Sequence, residues 1–425
     1  MRRPAVLTAF TYPKFRRVWL AGFVSQFGDW MQIFGRAYLA FELTGRAETV
    51  GLVYFATFLP QLLLSLWGGV LADRINRKRL LLMAQALQAL GAVVMGLLVV
   101  TDSATVANVT FISLILGTGF TLQIPAMQAL TPTLVPHEEL SSAISLSTAT
   151  NSLTRVGGPL LAAALIPLAG VEWVFWANAV SFAFLMAAWA GTKIPRQPTA
   201  DRGGFAALRE GLAYVRRTPS VATPIGATAF LSSISMVYQP LSIVYATDVL
   251  ARGDNDLGVR YNGWLQAAIG VGAAIGILGL AELGRRHPAQ VFIATAIVLS
   301  ITLGALGLIE LIGGAVLTLV VLGAAQSANM TLAISIVQYE SPEVMRGRVM
   351  SIQVLALIGF LPITSLLGGW LADQIGLDRL FVGAGLACLA FSFLLLRWRH
   401  HFRTTAIDRG EATDVVVSTV LEDEG

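Results

Sequence analysis

Three ionisable side chains stand inside long apolar runs: Asp29 in SQFGDWMQIFGR, Arg36 seven residues later, and Arg155 in NSLTRVGGPLL. A charged group at bilayer depth costs at least ~2.5–3.5 kcal/mol by insertion scales, so each needs a reason to be there. Asp29 lies 11 residues past Val18, and Arg155 lies 11 past Ile144. At a 1.5 Å rise per residue that is ~16 Å, about half of a ~30 Å hydrocarbon core. A carboxyl group at that depth can carry a proton, serve as fixed counter-ion to Arg155 or Arg36, or touch a solute. The roles can coexist, because releasing an arginine when the acid is protonated is itself a coupling device.

Uncharged polar residues punctuate the same kind of run: Gln26, Gln32, Gln61, Gln123, Asn151, Tyr238, Gln239, Gln326 and Asn329. Any one of them is more often a hydrogen-bond partner between helices than a ligand contact. As a set they suggest a wet cavity with few charges, suited to an amphiphilic or weakly charged organic solute. Asn151 and Arg155 are four apart and so share a helix face. Other chemistry finds no support. There is no Walker A sequence, HExxH or GxSxG. The one cysteine, Cys388, and the four histidines make no metal-ligand spacing. The reading is therefore no enzyme, no cofactor and no metal.

What must position these residues follows from composition. The 425 residues are 55% hydrophobic and 13% charged, with mean hydropathy +0.70. An ordinary soluble domain carries about 25% charged residues, so the expected class is an all-α membrane protein. Twelve segments reach the ~20 apolar residues that a spanning helix needs. They cover about 18–40, 49–72, 80–101, 105–130, 141–168, 172–192, 220–247, 261–283, 289–309, 312–336, 347–372 and 378–397. With the N-terminus placed in the cytoplasm, 23 of the 29 Lys and Arg residues fall inside and four fall outside. That asymmetry sets both termini inside. The net charge of +4 thus belongs to loops and does not point to nucleic acid. The basic start, without a short apolar core and a small-residue site after it, reads as retained rather than cleaved.

The longest internal polar stretch divides the chain. Residues 193–218 begin KIPRQPTADRGG, a linker composition, and continue FAALREGLAYVRR, with Phe205, Leu208, Leu212 and Val215 on one helical face. That helix either lies on the inner membrane surface or packs on protein. The expected organisation is a six-helix half over 1–192, the linker 193–218, a second half over 219–398 and a solvated tail over 399–425. PHEELSSAIS (136–145) and PEVMRGRVMS (342–351) repeat before the fifth and eleventh spans. Two such halves with a site between them form a transporter plan. GGVLAD (68–73) returns as GGWLAD (368–373), at what the topology makes opposite faces of the membrane, as inverted repeats within halves would have it.

The loop after the second span reads GVLADRINRKRLL (69–81) and resembles the major facilitator superfamily signature G-x-L-A-D-R-x-G-R-K-x-x-L, with Asn76 in place of the family glycine. Asn tolerates the left-handed turn that glycine would make. From the residues themselves, Gly69 lets the helix approach a facing one, and Asp73 can accept hydrogen bonds from a neighbouring helix N-terminus or pair with Arg77. The resemblance implies a gate that latches the cytoplasmic side, formed by Gly69, Asp73, Arg74, Arg77 and Lys78. The fifth span resembles the antiporter motif of drug exporters through Gly157, Gly158 and Pro159, with Ala162 and Ala163 replacing later glycines. The fourth span lacks the membrane arginine of the family's proton-linked motif. YESPEVMRGRVMS (339–351) and SQFGDWM (25–31) resemble a subgroup that includes the enterobactin exporter and macrolide efflux proteins.

The resemblance covers nearly the whole chain before about residue 400. It implies a twelve-helix fold of two pseudo-symmetric halves, with helices 1, 4, 7 and 10 lining a central cavity. It also implies a plasma-membrane exporter of small molecules, driven by proton antiport and of the drug-resistance type. A dedicated siderophore or lipid-like metabolite exporter is the same-class alternative. A non-transporting receptor or scaffold is the alternative of another class, disfavoured by polar residues in both halves. The implied partners are a small molecule, protons and membrane lipids, and the expected working unit is a monomer.

Overall fold

The computed structural model describes residues 5–74, 76–192 and 204–397. Every regular element among them is helical. The first six spans are α1 (Pro13–Thr44), α2 (Ala47–Arg74), α3 (Arg77–Val100), α4 (Val106–Leu130), α5 (Leu140–Ala169) and α6 (Glu172–Ala190). The amphipathic α7 (Gly204–Arg217) follows. The seventh span is broken: α8 (Pro219–Ser235) continues as α9 (Tyr238–Val244) and a π-helical segment, Tyr245–Leu250. Then come α10 (Asn255–Arg286), α11 (Pro288–Leu306) and α12 (Ile312–Glu340). The eleventh span is α13 (Glu343–Ile358) followed by α14 (Leu361–Ile375), and α15 (Leu377–Arg397) is the twelfth.

Eleven of these spans, among the described residues, are long and apolar enough to cross a membrane. The twelfth, α1, has the length at 32 residues. Its polar and charged residues, Gln26, Asp29, Gln32 and Arg36 among them, lower its apolarity. The span that resembles a membrane helix least is thus the one that carries Asp29 and Arg36.

Helix ends follow from local chemistry. Gly45 ends α1 in the left-handed region (φ 64°), where a side chain would be strained. Asn76 does not take the left-handed turn expected of it. Its φ is −56°, and it caps α3, its Oδ1 accepting from the Lys78 and Arg79 N–H groups at 3.1 and 3.2 Å. The departure from the family glycine therefore supplies an N-cap.

Within the first half, α1 packs on α5 and α6, α2 on α4, and α3 on α4 and α6. In the second half α10 packs on α12, and α11 on α12 and α15. The halves meet chiefly through two helix pairs, α2 with α14 and α5 with α10. Small residues make both contacts close. A Cβ at Gly51 would lie 2.3 Å from the Ser365 carbonyl oxygen, and one at Gly263 would lie 2.4 Å from the Ala163 Cβ. The α2–α14 contact includes the start of α2, on the far side of the bundle from the chain's beginning. On the near side a crevice of about 390 Å³ separates α2 and α4 from α13, lined by Gln61, Pro125, Gln128, Met350 and Ser351 among others.

The C-terminal part of α7 packs on protein, while Leu212 on the same apolar face is exposed. Val215 is buried with Val221, Ile225, Val337, Val349 and Ile352. Glu210 pairs with Arg348 at 2.6 Å, and the Tyr214 hydroxyl donates to the Glu340 carbonyl at 3.5 Å. The helix lies on α13 and α8. The Phe205 and Leu208 side chains and the 193–203 part of the linker fall outside the described residues, as does the tail from 398.

Candidate functional site

Asp29 is buried in the middle of α1, and its carboxyl group interacts with the Asn178 side chain of α6, the Gln123 side chain of α4 and the charge of Arg36. Arg36, also buried, donates from Nε to the Gln32 carbonyl at 3.3 Å and from a terminal nitrogen to Thr57 Oγ1 of α2 at 3.2 Å. Gln123 accepts from Gln88 Nε2 of α3 at 2.9 Å. The Asn178 amide donates to Gln32 Oε1. One network thus joins α1, α2, α3, α4 and α6 around the single acid. Beside it lies a cavity of about 20 Å³ lined by Asp29, Gln32, Arg36, Thr57 and Gln88. That is room for one water, with enough polar partners to hold it.

Arg155 belongs elsewhere. It is exposed on α5, its guanidinium 5.5 Å from the centre of the Trp30 ring, with Tyr54 and Tyr238 as electrostatic neighbours. It makes no ion pair with any described residue. Asn151, one turn away, is exposed on the same face, whereas Leu153, Leu160 and Leu161 form an exposed apolar face of α5. Of the two arginines offered as counter-ions to Asp29, only Arg36 is near it.

The remaining polar residues divide. Tyr238 donates to Gln326 Oε1 at 3.0 Å, joining the seventh and tenth spans, and Gln239 beside it is half-buried. Gln61 lines the near-side crevice. Gln26 accepts from Thr154 at 3.5 Å. Asn329 does not face the cavity expected of it. It is buried and donates to the Phe292 carbonyl and Thr295 Oγ1 at 2.9 and 3.1 Å, tying α12 to α11. Three members of the Asp29 network, Thr57, Gln88 and Asn178, were missed in the sequence, because a cavity lined by helices 1, 4, 7 and 10 leaves out helices 2, 3 and 6. A polar residue in an apolar run was the available signal.

The glycine motif of α5 makes contacts. A Cβ at Gly157 would meet the Phe27 ring at 2.3 Å, and one at Gly158 would meet Trp30 Cβ at 2.5 Å. Pro159, next in the chain, is buried inside the helix. In the loop signature, the side chains of Gly69, Asp73 and Arg74 lie outside the described residues, and Arg77 has interactions of its own. Lys78 donates to the Ala190 and Thr192 carbonyls at 3.0 and 2.8 Å. A cation there suits the negative end of α6.

The second hexapeptide makes the most specific contact between the halves. Asp373, near the end of α14, accepts from the Ala47 and Glu48 N–H groups at 2.9 and 3.0 Å, and Arg46 Nε lies 3.4 Å from it. Ala47 opens α2, so Asp373 caps a helix of the opposite half.

Comparison with known proteins agrees with this architecture. The family model described as "Transmembrane secretion effector" matches residues 5–420. The chain is 27% identical over 355 residues to the enterobactin exporter EntS of Shigella dysenteriae serotype 1 (strain Sd197), covering 80% of each protein. It is 26% identical, with the same coverage, to EntS of Escherichia coli O81 (strain ED1a). A bacterial homologue of the iron transporter ferroportin in an inward-facing state superposes with TM-score 0.73 at 17% identity, covering 91% of this chain and 98% of that one. The nucleoside transporter NupG superposes with TM-score 0.71 at 13% identity, covering 92% of this chain and 99% of that one. These relatives and this fold are those of transporters, not enzymes. The chain belongs to the transmembrane secretion effector family, a multi-pass inner-membrane transporter of the major facilitator type.

Proposed function

We propose that the chain exports small organic molecules by alternating access, working as a monomer, with the proton gradient as its energy source and Asp29 as the proton-carrying group. The two halves rock about a central cavity. The Lys and Arg count supports a cytoplasmic near side, which makes the conformation described one that is closed outside and gapped inside. The cytoplasmic latch that the 69–81 loop resembles would engage in the opposite state.

The observation that carries the coupling is the setting of Asp29. It is the one acid at mid-depth among the described residues, bound by uncharged amides and close to Arg36 without an ion pair to it. Such an acid can change its proton occupancy without breaking a salt bridge. Reconstituted protein should release protons from liposomes when a transported solute is added, with a macrolide and a catecholate siderophore as the first probes. Solute flux that ignores an imposed proton gradient eliminates the coupling.

One observation favours a dedicated metabolite exporter over a multidrug one. Arg155 is a cation with no acidic partner among the described residues, on the face of α5 that looks towards Tyr54 and Tyr238. That arrangement supports a solute carrying negative charge, and the curated relatives are named enterobactin exporters.

A further inference from the structure

The sequence repeats GGVLAD and GGWLAD, and the loop signature accounts for the first copy only. The second ends α14, where its parts divide the work. Gly369 removes the side chain that would strike α2: a Cβ there would lie 2.5 Å from the Ala47 carbonyl oxygen. Asp373, four residues later and so on the same face, then reaches the α2 N-terminus and accepts both Ala47 and Glu48 N–H groups. The preceding residue, Arg46, has no acceptor with which to cap its own helix. The first N–H groups of a helix lack internal partners and carry the positive end of its dipole, so a carboxylate from outside fits them.

The first copy sits in the mirrored situation. It ends α2 with the same Gly-to-Asp spacing, Gly69 to Asp73. The helix whose N-terminus lies on that side is α13, partner to α2 across the near-side crevice. The residue before α13 is Pro342, again without a side-chain acceptor. Val344, in its first turn, is 83% exposed.

We infer that Asp373 is a positioning residue for transport: it latches the far side shut by capping α2, and the two hexapeptides are alternate latches, one holding each side of one antiparallel helix pair. The two caps exclude each other, because α2 and the eleventh span close at one end only by separating at the other. This rests on the alternating-access reading, and not on proton coupling or on the solute.

The test uses full-length protein in nanodiscs with Cys388→Ala as background. Spin labels at Ser103 and Leu308 report the far side, and labels at Glu138 and His287 report the near side, by electron–electron double resonance. Asp373→Asn should move the ratio of far-open to far-closed protein by roughly tenfold, the size of effect expected for a charge-assisted cap. The far-side distance lengthens while the near-side distance shortens. Gly369→Ala, which keeps the acid but wedges the contact, should shift the ratio the same way and stands in if Asp373→Asn fails to fold. Asp73→Asn should shift it the opposite way. Arg46→Gln, which removes the pairs of an exposed guanidinium with Glu48 and Asp373 but leaves the cap's own hydrogen bonds, should change it less than about twofold. Two wild-type populations that Asp373→Asn and Gly369→Ala leave unmoved overturn the latch alone. Asp73→Asn moving in the same direction as Asp373→Asn overturns the alternation. An Arg46→Gln effect equal to that of Asp373→Asn overturns the cap in favour of the ion pair. One unchanging distance at each side in every variant overturns alternating access, and the latch with it.

Discussion

Asp29 and Arg36 stand two turns apart on α1, both buried, and they are not joined by a salt bridge. Arg36 is held by the Gln32 carbonyl and Thr57, while Asp29 turns to Asn178 and Gln123. Each charge has its own polar partners, so each can be altered without leaving the other bare.

Asp29→Asn should therefore insert and fold, since its amide oxygen can still accept from the Asn178 or Gln123 side chain. It should abolish uphill export while keeping downhill exchange of solute. Uphill export measured in proteoliposomes decides the matter. If the double variant Asp29→Asn, Arg36→Gln regains it, Asp29 is a counter-ion and not the proton carrier.

Arg155→Gln should raise the KM for a negatively charged solute by about tenfold, the loss of roughly one charge-assisted contact. It should leave the thermal midpoint within a few degrees of wild type, because the side chain is exposed. Equal KM values for anionic and neutral solutes in both proteins would remove Arg155 from solute recognition.

Gly158→Leu should separate α1 from α5, since even a Cβ would lie 2.5 Å from Trp30 Cβ and 3.1 Å from the Met31 nitrogen. A cost of at least ~1–3 kcal/mol is expected from overpacking. Gly226→Ala, with nothing within 4 Å of the new methyl, should be neutral. Fluorescence-detected size exclusion after heating compares the two.

Cysteines placed at Asp254 and His287, with Cys388 replaced, fix the orientation. A membrane-impermeant reagent applied to whole cells should label position 254 and spare 287. The reverse pattern inverts the topology and exchanges the sides assigned to the two hexapeptides.

Much of this was legible in the sequence because apolar context makes a charge conspicuous: Asp29, Arg36 and Arg155 announce themselves. Their pairing was not legible. Helical periodicity relates residues of one helix, so it shows that Asn151 and Arg155 share a face, but not that Arg155 looks at Trp30 while Asp29 looks at Asn178. Asn76 shows a different limit. Its type allowed both a left-handed turn and an N-cap, and only the backbone angle chooses. The chemistry expected of Gly69 and Asp73, a close approach followed by a helix cap, is described at Gly369 and Asp373. The hexapeptide was visible twice, but its partner required knowing that the start of α2 and the end of α14 are neighbours.

The anchoring of α7 has a mechanical consequence. With Glu210 on Arg348 and Tyr214 on Glu340, that helix is anchored chiefly on the second half. The covalent tether between the first half and α7 is then residues 193–203. Eleven residues span at most roughly 36–40 Å at the extended limit of the chain. The length of this tether sets an upper limit on how far Thr192 and Gly204 can part. Lengthening it should cost little, since loop closure grows only slowly with length. Cutting it below the distance from Thr192 to Gly204 in the wider state would stop the cycle with every side chain of the cavity intact.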